Sequence, residues 1–146
     1  MVVQLSTVLD TSPALAWTAV KQSATLVYVT RGLLGFSTDV FPTVWQEGGC
    51  VRTRLFVFGC IPAWMHELHF VRIDDEHREL YTNEQGGLIS AWNHRIRVVP
   101  EADGRCLYTD EVQIQAGFFT PLVWLFAHIF YRYRQQRWQR LARSLT

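Results

Sequence analysis

From Cys50 to Ala116 strand-like runs alternate with short turn-like connections, and this constrains the fold more than any other feature of the chain. Val51–Phe58, Met65–Ile73, Glu79–Gln85, Leu88–Val99 and Arg105–Ala116 read as strands, joined by Gly59–Pro62, Asp74–Arg78, Gly86-Gly87 and Glu101–Gly104. Connections this short join antiparallel neighbours, so the region reads as a meander. Gly117–Pro121 then ends the last strand, and helical spacing predicts a helix from about Pro121 to Leu145, roughly 37 Å long. Thr120 is its expected cap, with Pro121 at the first helical position. Val123, Ala127, Phe130, Tyr131, Arg134, Trp138, Leu141 and Leu145 form one stripe, and Arg132, Arg137, Arg140 and Arg143 lie on the other side. A curved sheet must cover its apolar face, and this helix is the only long element available to do so.

The N-terminal third is less regular. Val2–Leu9 alternates, with Val3, Leu5, Thr7 and Leu9 on one face, and reads as a strand. Ser12 and Pro13 open a helix expected to run to about Gln22. A second short helix after Ser23 competes with the β-branched Thr25, Val27, Val29 and Thr30. Gly32, Gly35, Pro42 and Gly48-Gly49 punctuate the stretch from Thr30 to Gly49, through which one strand is expected to pass. The predicted fold class is α+β. A curved antiparallel sheet of six to seven strands wraps a long C-terminal helix, with one or two short helices after the first strand. No repeat or linker divides the chain, so residues 1–146 form one domain.

Several function classes lose support. A formal net charge of +1 gives no global electrostatic case for nucleic acid. The longest apolar run, near Leu122–Tyr131, is broken by His128 and is too short to span a bilayer. No secretory signal pattern opens the chain. Cys50, Cys60 and Cys106 are an odd set without close spacing, read as free buried thiols, so a cytoplasmic setting is expected. His66-Glu67-Leu68-His69 falls on a strand, where residues three apart face opposite ways, so the two imidazoles cannot share a metal. No metal site, cysteine nucleophile, phosphate loop or other cofactor motif is expected.

Strand alternation sorts the remaining polar groups. Asn93, Arg95 and Arg97 must face water, because burying unpaired arginine is costly, which turns Trp92, His94, Ile96 and Val98 inward. On the last strand Glu111, Gln113 and Gln115 face water, which turns Tyr108, Asp110, Val112 and Ile114 inward. Both inward sets are even-numbered, so the hairpin between them needs a loop of odd length. A three-residue loop at Ala102–Gly104, with Gly104 left-handed, sets Asp110 opposite Ile96 and diagonal to His94, and a five-residue loop sets it opposite His94; either way their Cβ atoms are roughly 5–8 Å apart. Glu84 points inward if the connection after it has three residues and outward if it has two; the inward setting is the expectation.

The pattern resembles the START-like, or SRPBCC, superfamily over nearly the whole chain. The resemblance rests on element order and on Leu9–Pro13 with Trp17, Trp92–Ile96, Tyr108–Val112 and Gly117–Pro121 before the helix. The length matches compact bacterial members. The superfamily includes polyketide cyclases and lipid-transfer proteins, and the resemblance implies a helix-grip fold with an apolar cavity between sheet and helix. The leading expectation is binding or transport of a small hydrophobic ligand (a lipid, polyketide or isoprenoid-like molecule). Glu84, Trp92, His94, Ile96, Tyr108, Asp110, Val112, Ile114, Phe118 and Phe130 are the candidate ligand-binding residues. Aromatics make up 14% of the chain, a surplus that an apolar pocket can use. A buried His94–Asp110 pair also fits an acid/base dyad in a cyclase, aromatase or dehydratase, or a satisfied pair that only fixes the core. A third reading is an adaptor that meets an anionic membrane or a partner protein through Arg132, Arg137, Arg140 and Arg143.

Overall fold

The computed structural model describes residues 1–145. Strand β1 (Val2–Leu9) leads into α1 (Pro13–Val20) and α2 (Ser23–Thr30), followed by β2 (Leu34–Phe36). The meander comprises β3 (Cys50–Val57), β4 (Ile61–Asp74), β5 (Glu79–Gly86), β6 (Ile89–Pro100) and β7 (Cys106–Gln115), and α3 (Thr120–Ala142) closes the chain. All neighbouring strands pair antiparallel in one seven-stranded sheet ordered β1-β7-β6-β5-β4-β3-β2. The sheet curls into a half-barrel around α3, the START-like helix-grip architecture.

The β6–β7 hairpin has the register that parity implies. Ile96 pairs with Asp110 and Pro100 with Cys106. Asp103 (φ 60°) and Gly104 (φ 72°) are both left-handed in its loop, so the chain reverses without losing phase. The β5–β6 connection reaches the expected facing of Glu84 by another route. Its turn holds only Gly87 and Leu88, and a bulge between Glu84 and Gly86 supplies the extra residue. A Cβ on Gly87 (φ 54°) would meet the Trp64 ring at 2.2 Å, so the turn and that indole require each other.

Helix α2 settles an open alternative, and two other elements differ from expectation. Helix α2 forms in full despite its β-branched residues, because packing outweighs propensity. Val29 and Thr30 are buried, the Thr30 hydroxyl donates to the Leu26 carbonyl at 2.8 Å, and α2 lies against α3. Helix α1 ends at Val20 rather than Gln22, and Gln22 instead bridges to Val44. Thr120 is the first residue of α3 rather than its cap; its hydroxyl accepts from Ala116 N–H and donates to the Gly117 carbonyl, tying down the preceding turn. Ser12 does cap α1, accepting from Leu15 N–H at 3.2 Å.

Burial divides into two clusters. One joins α1, α2 and the far half of α3 to the sheet through residues such as Trp17, Val29, Trp45, Phe70, Tyr108 and Trp138. The other packs Val3, Trp92, Val112 and Ile114 under Ala127, Phe130 and Tyr131 of α3. Cys106 is buried, but Cys50 and Cys60 are exposed, contrary to the expected burial of all thiols. Val51 takes the inward position on β3 and turns Cys50 out, and Cys60 sits in the β3–β4 turn. No helix among the described residues is long and apolar enough to cross a membrane.

Candidate functional site

A cavity of about 410 Å³ lies between the inner face of β2–β6 and helices α2 and α3. Its wall is chiefly aliphatic and aromatic; the polar exceptions are His66, Thr82, Glu84, His94 and Arg134, with Thr25 and Thr30 of α2. Sheet alternation delivers the four of these that lie on strands. His66 on β4, Thr82 and Glu84 on β5, and His94 on β6 occupy successive inward positions, with Leu68 paired to Glu84 and Thr82 to His94. Arg134 descends from α3 and is 5% exposed.

Two hydrogen-bonded groups result. In the first, His94 Nε2 lies 2.8 Å from Asp110 Oδ1, and the Tyr108 hydroxyl donates to the same oxygen at 2.9 Å. Gln135 donates to Asp110 Oδ2 at 3.3 Å. Arg134 donates to the Tyr108 hydroxyl at 3.1 Å and sets its charge 3.6 Å from Asp110. Burial opposes ionisation of Asp110, but the Arg134 charge and the bonds from His94 and Tyr108 outweigh it and hold the carboxyl below its ordinary range. Burial and the Asp110 charge push the Tyr108 phenol well up, so it stays a protonated donor.

In the second group, His66 Nε2 lies 3.0 Å from Glu84 Oε2 and Thr82 donates to Glu84 Oε1 at 2.8 Å. Burial again opposes ionisation, and the His66 bond and charge, the His94 charge and the Thr82 bond together lower the Glu84 carboxyl. An ionised carboxylate only accepts, so Nε2 carries a proton on both histidines. For His94 this leaves Nδ1 as the nitrogen that Asp110 does not engage. Trp92 lies alongside, its indole N–H donating to the Tyr131 hydroxyl at 3.0 Å, while the Tyr131 ring packs 5.1 Å from that of His94.

Of the residues singled out from sequence, Glu84, Trp92, His94, Ile96 and Phe130 line the cavity. Tyr108, Asp110, Val112 and Ile114 face inward but do not border it; they are at most 1% exposed. The reason is the position of α3 directly above β7, where Tyr131, Gln135 and Trp138 seal that strand and leave the open space over β2–β6. Phe118 does not join the site at all. Gly117 (φ 55°) turns the chain out before α3, and Phe118 is 94% exposed. Arg132, Arg140 and Arg143 are exposed, but Arg137 is engaged, giving two N–H donors to the Tyr28 carbonyl at 3.1 and 2.9 Å.

His66, Thr82 and Arg134 are site residues that sequence reasoning missed. Inward alternation from Leu68 and Phe70 places His66 in the cavity wall, and His69 is exposed on the opposite face. Arg134 belonged to the apolar stripe by spacing, a cue that it is buried with a partner. Among the described residues no group of three or more His, Cys, Asp or Glu could hold a metal ion.

Residues 37–144 match the family described as domain of unknown function DUF8410. No curated protein matches by sequence. Similar solved structures include a START superfamily protein from Mycobacterium smegmatis, 12% identical with a TM-score of 0.71, covering 99% of both chains. The ginseng (Panax ginseng) major latex-like protein 151 is 12% identical with a TM-score of 0.69 and 97% of both chains covered. Norcoclaurine synthase from Thalictrum flavum is 15% identical with a TM-score of 0.68, covering 100% of this chain and 88% of that one.

Proposed function

The chain belongs to the DUF8410 family, and from that premise and its START-like fold we propose that it binds or carries a small hydrophobic ligand, of lipid, polyketide or isoprenoid-like kind, in the cavity beneath α3. The observation that carries this reading is a preformed space of about 410 Å³ with an apolar wall and a few convergent polar groups. Ligand sites are typically of this size and character. Affinity comes from apolar burial at roughly 25 cal/mol per Å². Orientation comes from His94, with Glu84 and His66 beside it. Trp92, Ile96 and Phe130 form the wall, and Asp110 acts one step back by fixing the His94 ring. A solved structure of similar fold, that of norcoclaurine synthase, holds the small aromatic molecules dopamine and hydroxybenzaldehyde. Exposed free thiols at Cys50 and Cys60 fit a reducing, cytoplasmic setting.

The test is native mass spectrometry of protein purified without detergent, followed by solvent extraction, with uptake of a fluorescent naphthylamine probe measured in parallel. A released stoichiometric hydrophobic mass, and probe uptake weakened several-fold in a folded His94→Gln variant, are expected. An empty protein that takes up no probe refutes the reading. His94 is the residue to replace, because Asp110 is too deeply embedded for its loss to report on binding alone.

A second reading, a cyclase, aromatase or dehydratase, draws on one specific feature. His94 lines the cavity, and with Nε2 bonded to Asp110 the Nδ1 of its neutral ring is the free proton acceptor. It requires that the extracted molecule, or an analogue of it, be converted by the wild type and not by His94→Gln. Recovery of the ligand unchanged after prolonged incubation with the wild type argues for binding alone.

A further inference from the structure

The cavity opens at one end of the half-barrel, and that end differs chemically from the other. Leu122 and Phe126 both line the cavity and are exposed, at 65% and 41%. Around them the turns at this end present large apolar side chains to solvent: Phe58 (62%) and Ile61 (54%) from β3–β4, and Leu88 (57%) from β5–β6. Phe118 (94%), in the turn before α3, and Ile129 (59%), on the outer face of α3, continue the rim. Isolated exposed apolar residues need no explanation, but a contiguous rim around a cavity mouth marks a contact surface.

Charge is arranged to match. No Asp or Glu occurs in residues 54–66, 86–92 or 112–132, which supply this end. Asp10, Asp74, Asp75, Glu76, Glu101 and Asp103 gather at the opposite end, where β1, β4 and β6 finish. The exposed cations beside the rim are Arg54, which donates to the Ala63 carbonyl of the same hairpin, Arg31, next to Tyr133, and Arg132, one turn beyond Ile129.

We infer that this rim docks on an anionic lipid surface. The aromatic and aliphatic tips enter the headgroup and acyl boundary, the arginines meet anionic headgroups, and the acidic end points to water. The cavity mouth then opens directly onto the hydrocarbon. Docking stands on the surface alone and does not depend on the cavity holding a ligand, which the probe assay reports separately.

The exposed cysteines provide the test. An environment-sensitive NBD label goes on Cys60, at the rim, in a Cys50→Ser chain, and on Cys50, away from it, in a Cys60→Ser chain. Vesicles of equal parts phosphatidylcholine and phosphatidylglycerol should blue-shift and brighten the Cys60 label and leave the Cys50 label unchanged. Pure phosphatidylcholine should do less, and salt should weaken the response without abolishing it, because only the arginine contribution is screened. Removing two aromatic tips in Phe58→Asn/Phe118→Ser should lower partitioning by about tenfold or more while probe uptake by the cavity persists. Asn tolerates the left-handed turn at Phe58 (φ 55°). No change at Cys60, or equal change at both labels, overturns the proposal. So does a blue shift that needs no vesicles and grows with protein concentration, which assigns the rim to self-association.

Discussion

Asp110→Asn is the most informative single change to the buried network. The carboxamide keeps the shape of the side chain and removes its charge. Asp110 is 1% exposed, and Arg134, 5% exposed, has no other acidic partner within 4 Å among the described residues. Arg134 already leaves its Nε without a partner. The substitution therefore strands a buried cation, and breaking a buried pair this way costs about 3–5 kcal/mol. Against a total stability of roughly 5–15 kcal/mol that is a large fraction, corresponding to a fall in Tm of roughly 6–20 °C. Urea unfolding followed by circular dichroism measures it, and an unchanged m-value is expected with the lower midpoint. The sign of the coupling is the sharper check. Arg134→Met in the same chain removes the stranded charge while keeping an apolar stem against Tyr131, so the double variant should be more stable than Asp110→Asn by at least about 1 kcal/mol. A single-variant loss under about 1 kcal/mol, or a double variant that simply adds the two losses, refutes the ion-pair account.

Other expectations follow from geometry and from titration. Gly87→Ala should destabilise by at least about 2 kcal/mol and shift Trp64 fluorescence, since the new Cβ meets the ring at 2.2 Å; Gly104→Ala, with open space around it, should cost only about 1 kcal/mol from its left-handed backbone. The reverse order refutes the account of the β5–β6 turn. Stability should hold from neutral pH down to about pH 5 and fall below about pH 4. Asp110, Glu84 and Asp74 have carboxyls lowered by folding, so their contribution is complete above the unfolded values near 3.8 to 4.5 and is lost as pH drops through the folded ones. For Asp74, bonded to His77, the folded value is about 2, and His77→Ala should return it toward 3.8 by NMR titration. His77 is raised by the same contact, so its contribution is complete below 6.5 and disappears as pH rises through the higher folded value.

The facing of the strands was legible because alternation is enforced wherever an arginine or glutamate must reach water. Arg95 and Glu111 alone decide that His94 and Asp110 turn inward, and loop parity does the rest. Glu84 shows the limit of that logic. Its facing depends on a bulge at Gln85, and nothing in a Gly-Gly pair distinguishes a longer loop from a tight turn with a bulge beside it. Helix α2 and Arg134 were obscured for a different reason. Their state is set by partners far away in the chain: Arg137 for Tyr28, and Asp110 with Tyr108 for Arg134. Spacing recorded that Arg134 sat on the buried stripe, but its charge argued for solvent, and only the tertiary partner resolves the conflict. Phe118 illustrates the converse, since an aromatic near a cavity-bearing helix is read as wall until a left-handed glycine turns it out.

The two buried carboxylates are not equivalent, and the difference bears on what the cavity does. Asp110 faces an arginine, a tyrosine, a histidine and a glutamine, sits behind the cavity wall, and is electrostatically complete without any ligand. Glu84 borders the cavity and, among the described residues, has no arginine or lysine within ion-pair distance and is hydrogen-bonded by His66 and Thr82 alone. Buried ion pairs are seldom the most stable way to fill space, since apolar replacements of similar volume are often neutral or stabilising. A pair kept for stability would be expected in the sealed region beneath α3, where Asp110 lies. A pair kept in the wall of an otherwise apolar cavity is better explained by what enters the cavity. Under the proposed binding function, the polar end of a ligand is expected at the β4–β6 wall beside His66, Glu84 and His94, and its apolar body toward Leu122 and Phe126 at the mouth.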